Sequence, residues 1–178
     1  MSRIEDKIYA KILFKKYFNP KRQFMTKQRL ELYFTEATKH IDLIEESLDV
    51  LQQTLPLQNY DALNQLQRFA LNALIFRFSK LQDLIGAKIF RNYLEYTGYN
   101  TADKSFFDIL KEIEKENIVD IDTWDELREL RNKIAHEYPQ ELDEMLESIN
   151  LFIEKASSLI EISKKLEQKF NEIKKQRS

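Results

Sequence analysis

Two histidines, His40 and His136, are the only imidazoles in the chain, and there is no cysteine. Thiolate nucleophiles and thiolate metal sites are therefore excluded. No Gly-rich phosphate loop or HExxH pair occurs, and no set of residues has metal-ligand spacing, so neither a metal nor a cofactor is expected. One stretch gathers groups that could do chemistry: Arg131-Asn132-Lys133-Ile134-Ala135-His136-Glu137-Tyr138. An arginine can hold a phosphate through paired hydrogen bonds and a charge that does not dissociate. A histidine titrating near neutrality can take a proton from one oxygen and give one to another. Together, Arg131 and His136 suit cleavage of RNA by attack of its own 2′-OH on the neighbouring phosphate. That route asks for a base, an acid and a phosphate clamp, and no metal. The spacing also fits a structural reading, with Arg131 in a salt bridge and His136 capping carbonyls at a helix end. His40, next to Lys39 and off the local apolar seam, reads as a surface residue.

The elements that must position these groups are helices. The 178 residues include only 2 Gly and 3 Pro, with 33% charged and 12% aromatic residues, a composition for long helices and not for a turn-rich sheet. Leu30, Phe34, Ala37, Ile41, Ile44, Leu48, Leu51 and Leu55 form one seam ending near Pro56. A second long helix is predicted from about Tyr60 to Tyr96. Its inner face would carry Leu63, Leu66, Ala70, Leu74, Phe78, Leu81, Ile85, Ile89 and Tyr93, and Gly98 would be its left-handed cap. A shorter helix starts near Ser105. Asp122 is placed to cap a fourth, from Thr123 to Tyr138, which Pro139 stops or bends. The last runs from Gln140 towards Lys174, its seam interrupted at Ser163. The prediction is an all-α protein, an antiparallel four- to five-helix bundle.

At 100° per residue the fourth helix divides its side chains cleanly. Leu127, Leu130, Ile134 and Ala135 make the buried stripe, with Arg131 and Tyr138 alongside it, while Asn132 and His136 share the opposite face. An arginine beside an apolar stripe is costly unless its charge is paired or borders a polar cleft. His136 lies in the last turn, where the helix dipole favours the protonated imidazole. Arg131 and His136 point about 140° apart on an ideal helix. Either the last turn unwinds, or Arg131 of one copy works with His136 of another.

Charge is unevenly spread. Residues 1–30 carry nine Lys/Arg against Glu5 and Asp6, in a chain of net charge −2. Residues 1–24 read as a basic extension with an amphipathic helix over 3–18 (Ile4, Ile8, Ile12), and residues 25–178 as the bundle. Such an arm is a solvated face, a nucleic-acid contact or a dock for an acidic partner. Outside it, the acidic body offers no evident basic surface for RNA. No apolar run approaches the roughly 18 residues of a membrane span, and no secretory leader is evident. A soluble, cytoplasmic protein without membrane contact is expected.

The octapeptide resembles the R-x4–6-H motif of the HEPN superfamily, with a polar residue following the arginine. His136-x-Tyr138 resembles the R-x4-H-x-Y form of HepT toxins, which pair with minimal nucleotidyltransferases. The stretch Asn72-Ala73-Leu74-Ile75-Phe76-Arg77-Phe78-Ser79-Lys80-Leu81 is similar to the Arg-Phe helix of that group. The similarity extends over residues 26–165. It implies a HEPN-like bundle that forms a homodimer, with two motif copies facing a shared cleft. Arg131 and His136 would be the catalytic pair of a metal-independent endoribonuclease acting on RNA, and Asn132 a supporting residue. Tyr138 would match the tyrosine that a minimal nucleotidyltransferase antitoxin modifies with AMP. The alternative from the same resemblance is a non-catalytic nucleotide- or substrate-binding subunit of a two-component nucleotidyltransferase.

Overall fold

The computed structural model describes residues 20–136 and 142–177; for Pro20, Arg22, Ala135, His136 and residues 142–145 it describes the backbone alone. Every regular element among these residues is helical. The elements are α1 (Pro20–Leu51), α2 (Gln65–Leu84), a π-helical segment (Ile85–Ile89), α3 (Phe90–Thr97), α4 (Phe106–Lys115), α5 (Ile121–His136) and α6 (Leu142–Gln176). Because α2, the π segment and α3 follow one another without a gap, the described residues build about five rods. Ion pairs Lys174–Glu31 and Lys164–Glu45, at 3.1 and 3.0 Å, set α6 antiparallel to α1.

The seams of the first and last helices form the core. Leu30, Phe34, Ala37, Ile41, Ile44 and Leu51 are buried, as are Ile149, Phe152, Ala156, Leu159, Leu166 and Phe170. Aromatic rings lock the layers together: Phe78 to Phe152 at 4.6 Å, and Phe34 to Phe170 at 5.5 Å. Leu55 is 37% exposed, because α1 ends at Leu51 and a 3-10 turn (Gln52–Thr54) carries the chain off the seam. The side chain of Asn150 on α6 then clamps the backbone of Leu57, accepting from its N–H at 2.7 Å and donating to its carbonyl at 3.0 Å.

The second rod departs from the predicted uninterrupted helix in three ways. Tyr60–Ala62 is a separate 3-10 turn, and α2 begins after Asn64, which forms a capping box with Gln67. Leu66 is not on the inner face: it is 63% exposed, whereas the other residues predicted there are buried. The rod also carries the π segment, where one extra residue enters a turn. Gly86 lies in it because the helix meets Trp124 there; a Cβ on Gly86 would stand 2.9 Å from the indole. Gly98 closes the rod at φ 104°, with Tyr99 N–H donating to the Leu94 carbonyl at 2.9 Å.

The shorter helix, α4, starts near Ser105 as predicted, and Ser105 caps it through a capping box with Asp108. The cap of α5 is Asp120 and not Asp122. Asp120 accepts from the Thr123 backbone N–H and hydroxyl, both at 2.8 Å, so the helix starts two residues earlier. These hydrogen bonds hold the Asp120 carboxyl below its usual range. Its stabilising contribution is therefore present above the unfolded-state pKa and lost as pH falls through the lower folded value. Asp120→Ala is expected to cost about 1 kcal/mol in urea unfolding at pH 7. The gap to the parent should narrow below about pH 4; an unchanged gap there would assign the loss to something other than the charged cap.

Candidate functional site

The motif helix α5 lies against α2 and α6, with Trp124, Leu127 and Leu130 buried and Ile134 partly so. Leu127, Leu130 and Ile134 are three of the four residues predicted for the stripe; the side chain of the fourth, Ala135, lies outside the described residues, and Arg131 sits beside the three as the helical geometry requires. The Arg131 side chain is 26% exposed. Its charge is paired: Nη2 donates to both oxygens of Asp83 near the end of α2, at 2.8 and 3.0 Å. Nη1 donates to the side-chain oxygen of Asn132 at 3.0 Å. The Nε–H is buried with no hydrogen-bond partner among the described residues. The guanidinium is thus held from two sides, one on a neighbouring helix and one on its own.

Of the four residues singled out from sequence, the structure brings two into contact, Arg131 and Asn132. Asn132 is exposed, as its place opposite the stripe predicts, although its oxygen turns back to the arginine. His136 is helical in its backbone and is the last described residue of α5. Its side chain, and the whole of Tyr138, fall outside the described residues. Asp83 is the residue that the sequence reading missed. A signal for it existed: an arginine beside an apolar stripe needs a carboxylate, and Asp83 is the only one between Asp61 and Glu95.

Helix α2, which supplies Asp83, is more basic than the whole chain suggests. Helix α2 carries Arg68, Arg77 and Lys80, and its one acid is the Asp83 that holds Arg131. Arg77 and Lys80 stand over the exposed ring of Phe76, at 5.3 and 5.5 Å from its centre. On α5, Arg128 lies 5.8 Å from the Phe106 ring and is paired with Asp125 at 3.2 Å. Helix α2 therefore carries cations outside the N-terminal arm.

His40 is not the plain surface residue expected. Its side chain is 12% exposed and its Nδ1 is buried with no hydrogen-bond partner among the described residues. Burial lowers its pKa first, and the Arg77 and Lys80 charges act in the same direction against Glu36. A neutral imidazole packed between α1 and α2 is its role in the fold.

No group of His, Cys, Asp or Glu among the described residues is placed to hold a metal ion. An open groove between the end of α1 and the start of α6 is rimmed by Asp49, Glu147 and Glu154 over Leu48, Leu55 and Leu151. That rim repels phosphate, and the groove contains neither Arg131 nor Asp83. No described helix is long and apolar enough to cross a membrane. No family model matches the chain, and no curated protein or solved structure matches it either.

Proposed function

We propose that this chain is a metal-independent endoribonuclease of the HEPN type. In this reading it is the toxin of a pair whose antitoxin is a minimal nucleotidyltransferase. The observation that carries the proposal is the setting of Arg131. It is held by Asp83 and Asn132 at a partly open surface, on the same helix as His136. A guanidinium fixed in this way is oriented before a phosphate arrives, so less freedom is lost on binding. His136 would move the protons, as base towards the 2′-OH and as acid towards the leaving 5′ oxygen. The charge growing on the phosphate oxygens would be met by Arg131 and the nearby lysines. Two copies facing one another would supply both motif helices to one cleft, and Tyr138 would be the residue that the antitoxin modifies with AMP.

The same pair supports a second reading. The Arg131 charge is already matched by Asp83, which leaves less of it for a dianionic transition state than a free arginine has. A nucleotide- or substrate-binding subunit without turnover tolerates that compensation better. The two separate in one assay: purified protein, a single-stranded RNA and excess chelator. The endoribonuclease produces 2′,3′-cyclic phosphate ends, and the His136→Ala protein produces none. Equal cleavage by parent and variant, or none by either, removes the catalytic reading. Binding of nucleotide in the second case would leave the subunit reading standing.

A further inference from the structure

Helix α2 is apolar on two sides. One side, with Ala70, Leu71, Leu74, Phe78, Leu81 and Leu84, is buried in the bundle. The other shows Leu66, Phe69 and Phe76 at 63, 61 and 52% exposure, with Ala73 exposed between the two rings. These four residues are spaced 3-4-3, the seam of a helix that packs against another helix. A second contiguous apolar stripe on the outside of a helix marks an interaction surface. Two phenylalanines and a leucine at these exposures leave roughly 350 Å² of apolar side chain open. That would make a large part of the centre of an interface of about 800 Å² per partner.

We infer that this outer face of α2 is covered by the α2 of a second copy of the chain, running in the same direction. The stripe is its own complement. Ala73, small, lets the two backbones approach, and the rings on either side fill the layers above and below it. One turn past the stripe come Lys80 and Asp83, so the interface leads directly to the Arg131 pair. The direction of pairing rests on the proposed function. Only helices running the same way bring both Asp83–Arg131 ends together. Lys80 and the Asp83–Arg131 pair of both copies then border one cleft. In the opposite direction, with Ala73 at the crossing, the two Asp83 residues would lie about 30 Å apart along the helices.

The chain has no cysteine, so single introduced thiols report on single positions. Ala73→Cys and Lys80→Cys are both expected to form disulfide-linked dimers under mild oxidation. Ser157→Cys, exposed on α6, is not. Sedimentation equilibrium of the parent should give twice the 21.4 kDa chain mass. A Phe69→Glu, Phe76→Glu double variant should fall to 21.4 kDa while its helical circular dichroism is unchanged. Linking at Ala73 without linking at Lys80 would overturn the same-direction pairing, and the shared cleft with it, while keeping the face as the interface. A monomeric parent would overturn the interface itself. The stripe would then be the seat of residues 1–19 or of RNA, the latter read as loss of oligonucleotide binding in the double variant.

Discussion

Replacing Arg131 with alanine is expected to lower the rate of RNA cleavage by about 10²–10³-fold, the usual loss when one donor to a developing oxyanion is removed. The fold should survive. Asp83, the partner left behind, has a side chain 57% exposed and can return to water. An ion pair open to solvent on that side contributes at most about 1 kcal/mol. A large loss of rate with a small loss of stability therefore separates a phosphate-binding arginine from a structural one. Asp83→Asn extends the test. It removes the carboxylate that accepts from Nη2 and leaves Arg131 free to swing, so a smaller loss is expected, up to about 10²-fold, by misplacement alone. It also removes a negative charge near the phosphate, so RNA should bind no more weakly. If Asp83→Asn instead abolishes cleavage as fully as Arg131→Ala does, Asp83 takes part in the chemistry directly. If neither variant slows cleavage, the chemistry lies elsewhere. The rates are to be measured with chelator present, alongside urea unfolding of each variant.

The largest effect on stability is expected at Trp124, the only tryptophan in the chain. Its indole is 1% exposed and lies 4.7 Å from the Phe90 ring and 6.4 Å from that of Phe106, centre to centre. It also abuts Gly86 of the π segment. Trp124→Ala should cost about 3–5 kcal/mol, because transfer of the ring and the cavity left behind act together. Against a total stability of about 5–15 kcal/mol, that is enough to move the urea midpoint far or to unfold the protein. Trp124→Phe should cost much less. It keeps a ring between α5 and the π segment and removes an indole N–H that is buried without a partner among the described residues. The same contact ties α5 to the rod that carries Asp83, so a folded but loosened Trp124 variant should also hold Arg131 less firmly. Circular dichroism against urea gives the stabilities. A cost below about 1 kcal/mol for Trp124→Ala would contradict this packing.

How much of this was legible in the chain follows from the range of each interaction. Caps and seams are local, so Ser105, Gly98 and the repeats in α1 and α6 could be read directly. Asp120 and Asp122 are both acids near the same helix start; which one caps is decided by where the first turn closes, and that is a matter of two residues. Leu66 was read inward because it continues a 3-4 pattern from Leu63 to Ala70. Between Leu63 and Leu66, however, the chain leaves a 3-10 turn and starts a new helix, and the phase resets. The π segment was not legible at all. Its apolar residues fit an α-helix equally well, and only Trp124, from a distant helix, gives Gly86 its reason.

For the motif, the sequence alone determined that residues 131–136 lie on a helix, that Arg131 borders the buried stripe and that Asn132 faces away from it. These follow from helical periodicity, which needs no knowledge of neighbours. It also posed the question that matters, where the charge of Arg131 goes, without being able to answer it. Only the tertiary structure decided that Asp83, forty-eight residues away along the chain, takes that charge. Only it decided that α5 packs across α2, a long-range event with no local signature. The octapeptide is one half of the candidate site, and the end of α2 is the other.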